Sequence, residues 1–574
     1  MRRSISLLCL LLALSILPTH HAVTDEYEDP PHVEGSVFNY VIAGNSFSNH
    51  RLSLGGGVFA ITAEELAIAE LIGTTSSIFS TTELMQFGQD GIASWEADVE
   101  EKTLTITMQH DVYWHDGTKL SLNDLVFAYE VLAHPDSWGR GLSSNAWQIV
   151  GLMDYHHEIA DYIAGLQLSE DHKTLTIHFE EFDHSIIHFG IWTSPMPRHI
   201  FQDIDVFDMP DSDAVFNNPI GWGPFIFQEH NLIDDTVILS RNYDYVWGVP
   251  YIETMIIKII HNDDLVPFMA ETTDIDYLVL SGDLVDEFKG IDGFRYYPVA
   301  ANVYQTISFR MGLFDLLGNR NVFDPNKPIS NVNLRRALIM ALDNEYIVSS
   351  LFNSSKPASG FLTEQHNAFV DPAIPFFAYD PENAKRILDE AGFDAIDEYG
   401  YRKNPDGSPL TLKMAVNNAP INELLSQLYI EAWAKIGVRA ELWQGTLHEF
   451  TYLFDVLSND MDNGEIDIYT IGWHFGRSPD PTNVWGHSNG NFSNYTSPEL
   501  DLIFDRLNSA SAWDTEYLLE VYSDLQWYFY ENVIFFPSRW PVRYIMLSDR
   551  VSAWDTRPYA PPQEFGWHKV RLTS

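Results

Sequence analysis

Cysteine and positive charge are what this sequence most lacks. A single cysteine, Cys9, stands in 574 residues. That excludes internal disulfides, thiolate-held metal clusters and a cysteine nucleophile in the body of the protein. Lysine and arginine number 33 against 81 aspartates and glutamates, a net charge of −48. A surface of that sign repels phosphates, which disfavours both a nucleic-acid groove and an anchor to anionic lipid. Catalytic signatures are missing too. There is no G-x-x-x-x-G-K-[ST] for ATP and no G-x-S-x-G nucleophile elbow; 21 histidines form no H-E-x-x-H. The one glycine run, Gly55–Gly57, reads as a flexible turn, and His156-His157-Glu158 as a solvated helix start. An enzyme reading therefore has no anchor, and neither a metal nor a cofactor is expected.

Long apolar runs are equally scarce. Arg2 and Arg3 precede an apolar stretch from Ile5 to Leu17, which Pro18 stops. A basic tip and a short apolar core read as a secretory signal, residues 1–22, with Ala22 at the cleavage point. The stretch is shorter than the roughly 20 residues a helix needs to cross a bilayer. Cys9 lies inside it behind Leu7 and Leu8, unlike a lipoprotein acylation site. No later segment is apolar enough to span, so a soluble, exported, extracytoplasmic body is expected. Its acidity suits a salty or alkaline exterior, where dense carboxylates keep a surface hydrated.

What is present is a mixture of strands and helices. Residues 23–34 are polar and proline-bearing, the composition of a tether. Lys102–Gln109 alternates apolar and polar residues, a half-buried strand. Leu166–Phe179 does the same on both sides of a turn at Glu170–Lys173. Further strands are predicted at Thr236–Ser240, Met255–Ile260 and Ile466–Ile471. Helical spacing predicts Ala63–Ile72, Ser121–Leu132 (with Ser121 and Asp124 as a cap), Val332–Leu342 and Pro381–Ala391 behind the cap Asp380. It also predicts Ile421–Ile436, Pro498–Leu507 and Thr515–Tyr530. Without a strict βαβ rhythm this reads as α/β with mixed sheets in more than one lobe.

Aromatic segments broken by glycine and proline stand out: VYWHDG from Val112, NPIGWGPF from Asn218, NYDYVWGVP from Asn242, and GWHFGRSPDP from Gly472 with Trp485 after it. Each suits a packed turn or a concave ligand site. Their order, together with NVNLRRALIMALDNEYIV from Asn331, AYDPENAKRILDEAGF from Ala378 and WAKIGVRAELW from Trp433, resembles the extracytoplasmic solute-binding proteins of peptide ABC transporters. The stretches from His134 and from Asn491 are similar to the Gram-positive oligopeptide-binding branch.

The resemblance implies a two-lobed periplasmic-binding-protein fold of the class II type, with an extra subdomain in lobe I and a hinged ligand cleft. It implies lobe I over 35–59, the subdomain over 60–194, lobe I again over 195–302, lobe II over 303–536, and a return to lobe I over 537–574. Two strands would cross the hinge, near Val303–Phe309 and Val533–Arg539. The expected function is capture of oligopeptides and their delivery to the permease subunits of an ABC transporter with a separate ATPase, by a monomer. The same fold also takes oligosaccharides, and family members can present peptide pheromones. Many members place an Asp four residues after the position of Gly472 to hold the peptide α-ammonium; here Gly476 stands there. The candidate ligand residues are Trp473, His474, Arg477, Asp480 and Trp485, then Asn417 and Asn418, then Ser46 and Phe47 in the first cleft loop. Asp480 reads equally as a turn-former, Arg477 as a surface ion pair and the two asparagines as strand caps.

Overall fold

The computed structural model describes residues 34–43, 51–137, 141–260 and 274–573, apart from 283–284, 290, 302, 319, 353–354, 475–476, 489 and 556–565. The expected signal, nearly all of the tether, and Ser46 and Phe47 lie outside the described residues.

Alternating burial builds the strands. Thr236–Arg241 buries every second residue, and so does Thr103–Met108, with Leu104 and Ile106 inside. One large mixed sheet runs through the molecule in the order Arg439–Leu442, Thr411–Ala415, Ile468–His474, Val303–Phe309, Phe535–Ser548, Tyr277–Ser281, Val37–Ala43, Thr254–Ile260, Thr236–Arg241, Phe225–Asn231. Two further strands, Phe294–Ala300 and Ser355–Pro357, pair with the central one.

The central strand, Phe535–Ser548, belongs to both lobes. Its first part pairs with Val303–Phe309 (Ser308↔Phe535 to Gln305↔Arg539), and its second with Phe294–Ala300 (Ala300↔Val542 to Phe294↔Ser548). The two antiparallel chains thus cross from one lobe to the other around Ala301 and Trp540. Between them falls Pro537-Ser538-Arg539-Trp540-Pro541, and the ladder shifts register at Gln305/Thr306. Proline donates no ladder hydrogen bond, so the sheet is weakest where the lobes part. Lobe II packs the helices Val332–Met340, Pro381–Glu390, Pro420–Lys435 and Thr515–Asn532 around a continuous core centred on Trp433, Tyr522 and Phe535.

The subdomain is a four-stranded antiparallel sheet, in the order Ala93–Asp98, Thr103–Met108, Thr174–His178, Leu166–Leu168, covered by the helix Leu122–Ala133. That helix starts as its cap signature predicts: the Asp124 carboxylate accepts from Ser121 N at 2.8 Å and from Arg198 N at 3.0 Å. The aromatic segments meet where this unit joins lobe I. Trp114 and Trp222 fill its core, His115 N donates to Gly221 O (2.8 Å), and Asn242 Nδ2 donates to Gly223 O (2.9 Å). The helix Ala63–Ile72 ends on Gly73 at φ +83, with the main chain of Gly223 pressed against it; a Cβ on Gly73 would lie 2.2 Å from Gly223 N.

Two local expectations change. The Gly55–Gly57 run is a packed turn, not a flexible one: Leu54 N and Gly55 N both donate to Val215 O, at 3.1 and 2.9 Å. His156-His157 closes the helix Leu152–His156 instead of opening one, and His156 Nδ1 meets Ala133 O at 2.9 Å.

Candidate functional site

In an open α/β sheet, ligands bind beyond the C-terminal ends of parallel strands. Thr411–Ala415 and Ile468–His474 are parallel neighbours in lobe II, and both strands end at one pocket of about 240 Å³. Val416 and Asn417 line it from the first strand, Thr470–Gly472 from the second, and Val303, Gln305 and Thr306 from one crossing strand. Ser538 and Arg539 of the other crossing strand close one side, and Asn422, Ser426 and Tyr429 of the helix Pro420–Lys435 the opposite side.

Hydrogen bonds fix these walls. Asn417 Oδ1 accepts from Asn422 Nδ2 and from Ala419 N (3.3 Å), tying the strand end to the first turn of the helix. Ser426 Oγ donates back to Asn422 O at 2.7 Å, and Ser538 Oγ donates across the ladder to Gln305 O at 3.0 Å. The Arg539 guanidinium lies 3.8 Å from the centre of the Phe352 ring. Burial pushes the Tyr429 hydroxyl up to about 12, with Arg539 acting weakly the other way, so that Tyr429 stays a neutral donor at physiological pH.

The residues expected from sequence are distributed as follows. Asn417 lines the pocket, while its neighbour Asn418 is exposed, its amide donating to His448 O at 2.7 Å. His474 ends its strand opposite Val303, and Trp473 pairs with Tyr304 in the same ladder. The Trp473 ring is half-buried against Phe492 at 5.3 Å. Trp485 is not a cleft wall here. It is 1% exposed and stacks on Phe535 at 4.3 Å in the lobe II core, where a ring that large is worth more as packing. Asp480 forms a turn: its carboxylate accepts from Thr482 N at 2.9 Å and from Thr482 Oγ1. Burial raises its pKa, the Thr482 bonds oppose that, and Asp183 of the subdomain adds to it.

Arg477 and Asp480 thus face the subdomain, and the lobes are in contact there. Arg477 lies over the Phe189 ring at 4.8 Å, Trp513 stacks on Phe182 at 5.0 Å, and Phe369 meets His188 at 5.9 Å. This is a closed arrangement in which the subdomain segment Phe182–Phe189 rests on lobe II. Its histidines are held neutral. Burial lowers His184 to about 4 and His188 to about 3; His184 and His366 push His188 in the same direction.

The profile of Bacterial extracellular solute-binding proteins, family 5 Middle, matches residues 90–495. The chain belongs to this family. The family is one of solute-binding proteins, so the protein is a binding protein of the extracytoplasmic side and not an enzyme. It is 25% identical over 496 residues to the oligopeptide-binding protein OppA of Lactococcus lactis subsp. cremoris, covering 83% of this chain and 81% of that one. Its fold is that of lactococcal OppA complexed with an endogenous peptide in the closed conformation: TM-score 0.73, 22% identity, covering 93% of this chain and all of the other. It is also that of AppA of Bacillus subtilis in complex with a nonapeptide, with a TM-score of 0.65 and 18% identity over 94% of this chain and 99% of that one.

Within this family-5 fold, sequence reasoning reached one rim of the pocket and missed the rest. Gln305, Asn422, Ser426 and Arg539 come from three elements far apart in the chain. Two arginines, Arg539 and Arg543, inside the strand Phe535–Ser548 were the available signal, and only the first lines the pocket.

Proposed function

We propose that this protein captures oligopeptides in the cleft between its lobes and delivers them to the permease subunits of an ABC transporter driven by a separate ATPase. Export by the 1–22 signal, a monomeric state, and the division into lobes at the boundaries read from the sequence belong to the same proposal. The observation that carries it is the likeness, over most of the chain, to a protein named as oligopeptide-binding. The site suits that ligand. An extended peptide presents unpaired main-chain groups at every residue, and amides and hydroxyls on strand ends can satisfy them without reading side chains. Asn417, Asn422, Gln305 and Ser538 supply such groups. Contact between subdomain and lobe II then encloses what is bound, and the two crossing strands are the hinge.

The test is mass spectrometry of what co-purifies with the full chain, native against denatured. A ladder of masses that fragments as peptides is the expected result and gives the preferred length. A single hexose-spaced species would overturn the peptide reading in favour of a sugar.

A further inference from the structure

A second cavity, of about 220 Å³, lies where the aromatic segments meet at the root of the subdomain. Its lining falls within residues 70–92, 222–247 and 566–568, so it shares no residue with the pocket at the strand ends and none with lobe II. Four of the side chains that line it are aromatic: Trp222, Tyr245, Trp247 and Trp567. Three of them are held by a neighbouring ring, Tyr245 by His568 at 5.3 Å, Trp247 by His110 at 4.9 Å and Trp567 by Tyr40 at 5.7 Å. Rings fixed in advance spare a ligand the cost of ordering them.

The cavity carries one formal charge, and it is negative. Among its lining residues, all described, only Glu70 is ionised at neutral pH, because burial, with Lys569 adding to it, lowers His568 to about 4. The Glu70 carboxylate has no hydrogen bond or ion pair with a described residue. It stands in the last turn of the helix Ala63–Ile72, which has no base there, and the helix dipole disfavours a carboxylate at that end. Its charge reaches the aromatic residues: burial raises the hydroxyls of Tyr245 and Tyr277, and Glu70 raises both further. Two buried nitrogens of the lining residues are also without a partner, Trp222 Nε1 and His568 Nε2, on residues 5% and 2% exposed. An indole N–H can only donate, so an oxygen is what it lacks.

We infer that this cavity binds a small organic cation, an alkylammonium ion that also carries an oxygen, with its positive head between Glu70 and the aromatic rings and its oxygen on Trp222 Nε1. A cation over an aromatic face is attracted by the ring quadrupole, and a carboxylate beside it adds to the attraction. A hard metal ion is not suited, since it takes roughly six or more oxygen ligands and the cavity offers one carboxylate. The net charge of −48 concentrates cations around the whole molecule. Because no residue of lobe II takes part, the site fills whether the lobes are open or closed, and it does not depend on the peptide reading.

The test is calorimetric titration of the purified full chain with choline chloride in dilute buffer. Sodium chloride is one control, and the other is the neutral carbon analogue of choline, in which a quaternary carbon replaces the nitrogen. Choline is expected to bind saturably at one site, and the neutral analogue about tenfold more weakly. Glu70→Gln should weaken choline about tenfold, and so should Trp247→Leu. Glu70 is exposed, so its variant keeps the fold, and thermal unfolding without ligand checks both variants. Glu398→Gln, which removes an exposed carboxylate of lobe II, should leave choline binding unchanged. No saturable binding overturns the site, and so does an analogue that binds as well as choline. An affinity that stays within about twofold in Glu70→Gln or in Trp247→Leu places the cation elsewhere and overturns it too. Equal weakening by Glu398→Gln would show that the field of the whole molecule, and not this cavity, attracts the cation. None of these outcomes bears on peptide capture, which is read from the co-purified masses.

Discussion

Gly73 and Gly117 both have left-handed backbones, with φ of +83 and +86, but only one is crowded. A Cβ on Gly117, in the W-H-D-G turn, would meet nothing within 4 Å; on Gly73 it would drive into the backbone of Gly223. An alanine at Gly117 therefore carries only the conformational cost, about 1–2 kcal/mol. At Gly73 the main chain of the G-W-G segment must also move, and a loss of at least about 3 kcal/mol is expected. Urea denaturation of Gly117→Ala and Gly73→Ala checks this, and equal losses would show that the junction between helix and G-W-G segment is loose. The same comparison shows the packing part that the tryptophans of these aromatic segments play. Trp114, Trp222 and the glycines beside them solve a packing problem at the root of the subdomain, and Trp485 solves another inside lobe II.

Among the elements, the Arg335-Arg336 pair shows how far pattern reading goes. The spacing of Val332–Leu342 predicts a helix, and one forms over Val332–Met340 behind the cap Asn331. Nothing in that spacing says that Arg335 is buried with its guanidinium on the carbonyls of Asn532 (2.6 Å), Val533 and Ile329. There it clamps the end of the helix Thr515–Asn532, where Val533 turns at φ +47 into the central strand. Burial lowers its pKa to about 10, which still leaves it charged at any physiological pH. Arg336 reaches the exposed Glu531 O, at 2.7 Å, and lies over the Tyr530 ring at 5.9 Å. Arg335→Met takes the guanidinium donors from three carbonyls, two buried and one half-buried, and a loss of about 3 kcal/mol or more is expected; Arg336→Met should cost under about 1 kcal/mol. Denaturant midpoints of the two variants decide it. Local periodicity and caps made the helices and the half-buried strands legible, because those signals lie within a few residues of one another. The pocket was not legible, because Gln305, Asn422 and Arg539 meet only after the two crossing strands have brought distant parts of the chain together.

At the scale of the whole molecule, charge acts twice. A net charge of −48 should draw basic peptides and slow acidic ones in dilute buffer. The two rates should converge in 1 M salt, where screening reaches only about 3 Å. Stopped-flow association of Lys-rich and Glu-rich peptides tests this, and equal rates at low salt would refute the steering. The second effect is acid sensitivity of the closed state. His184 and His188 are neutral beneath the lobe contact, with pKa values of about 4 and about 3 against an ordinary 6.5. Once unfolding exposes them they take up protons from about pH 6.5 downward, while the closed protein does not until near pH 4. Stability is therefore fully present above pH 6.5 and is lost as pH falls towards 4. The groups facing them are Asp183, which favours the protonated form of His184, and His366, which opposes that of His188. Asp480, whose pKa is raised, has the opposite sign: its contribution improves as pH falls and the carboxylate is protonated. His115 and His568, also lowered to about 4 by burial, act in the same sense as His184 and His188, against the burial-raised carboxylates Asp124, Glu130, Asp460, Asp467 and Asp480; the histidine contribution lowers the midpoint of thermal unfolding between pH 6.5 and 4. His188→Gln, which can still meet Met85 O, removes one of the four lowered histidines and should flatten that slope by about a quarter. If the slope in the variant equals that of the wild type, His188 is not the group that makes the closed protein sensitive to acid.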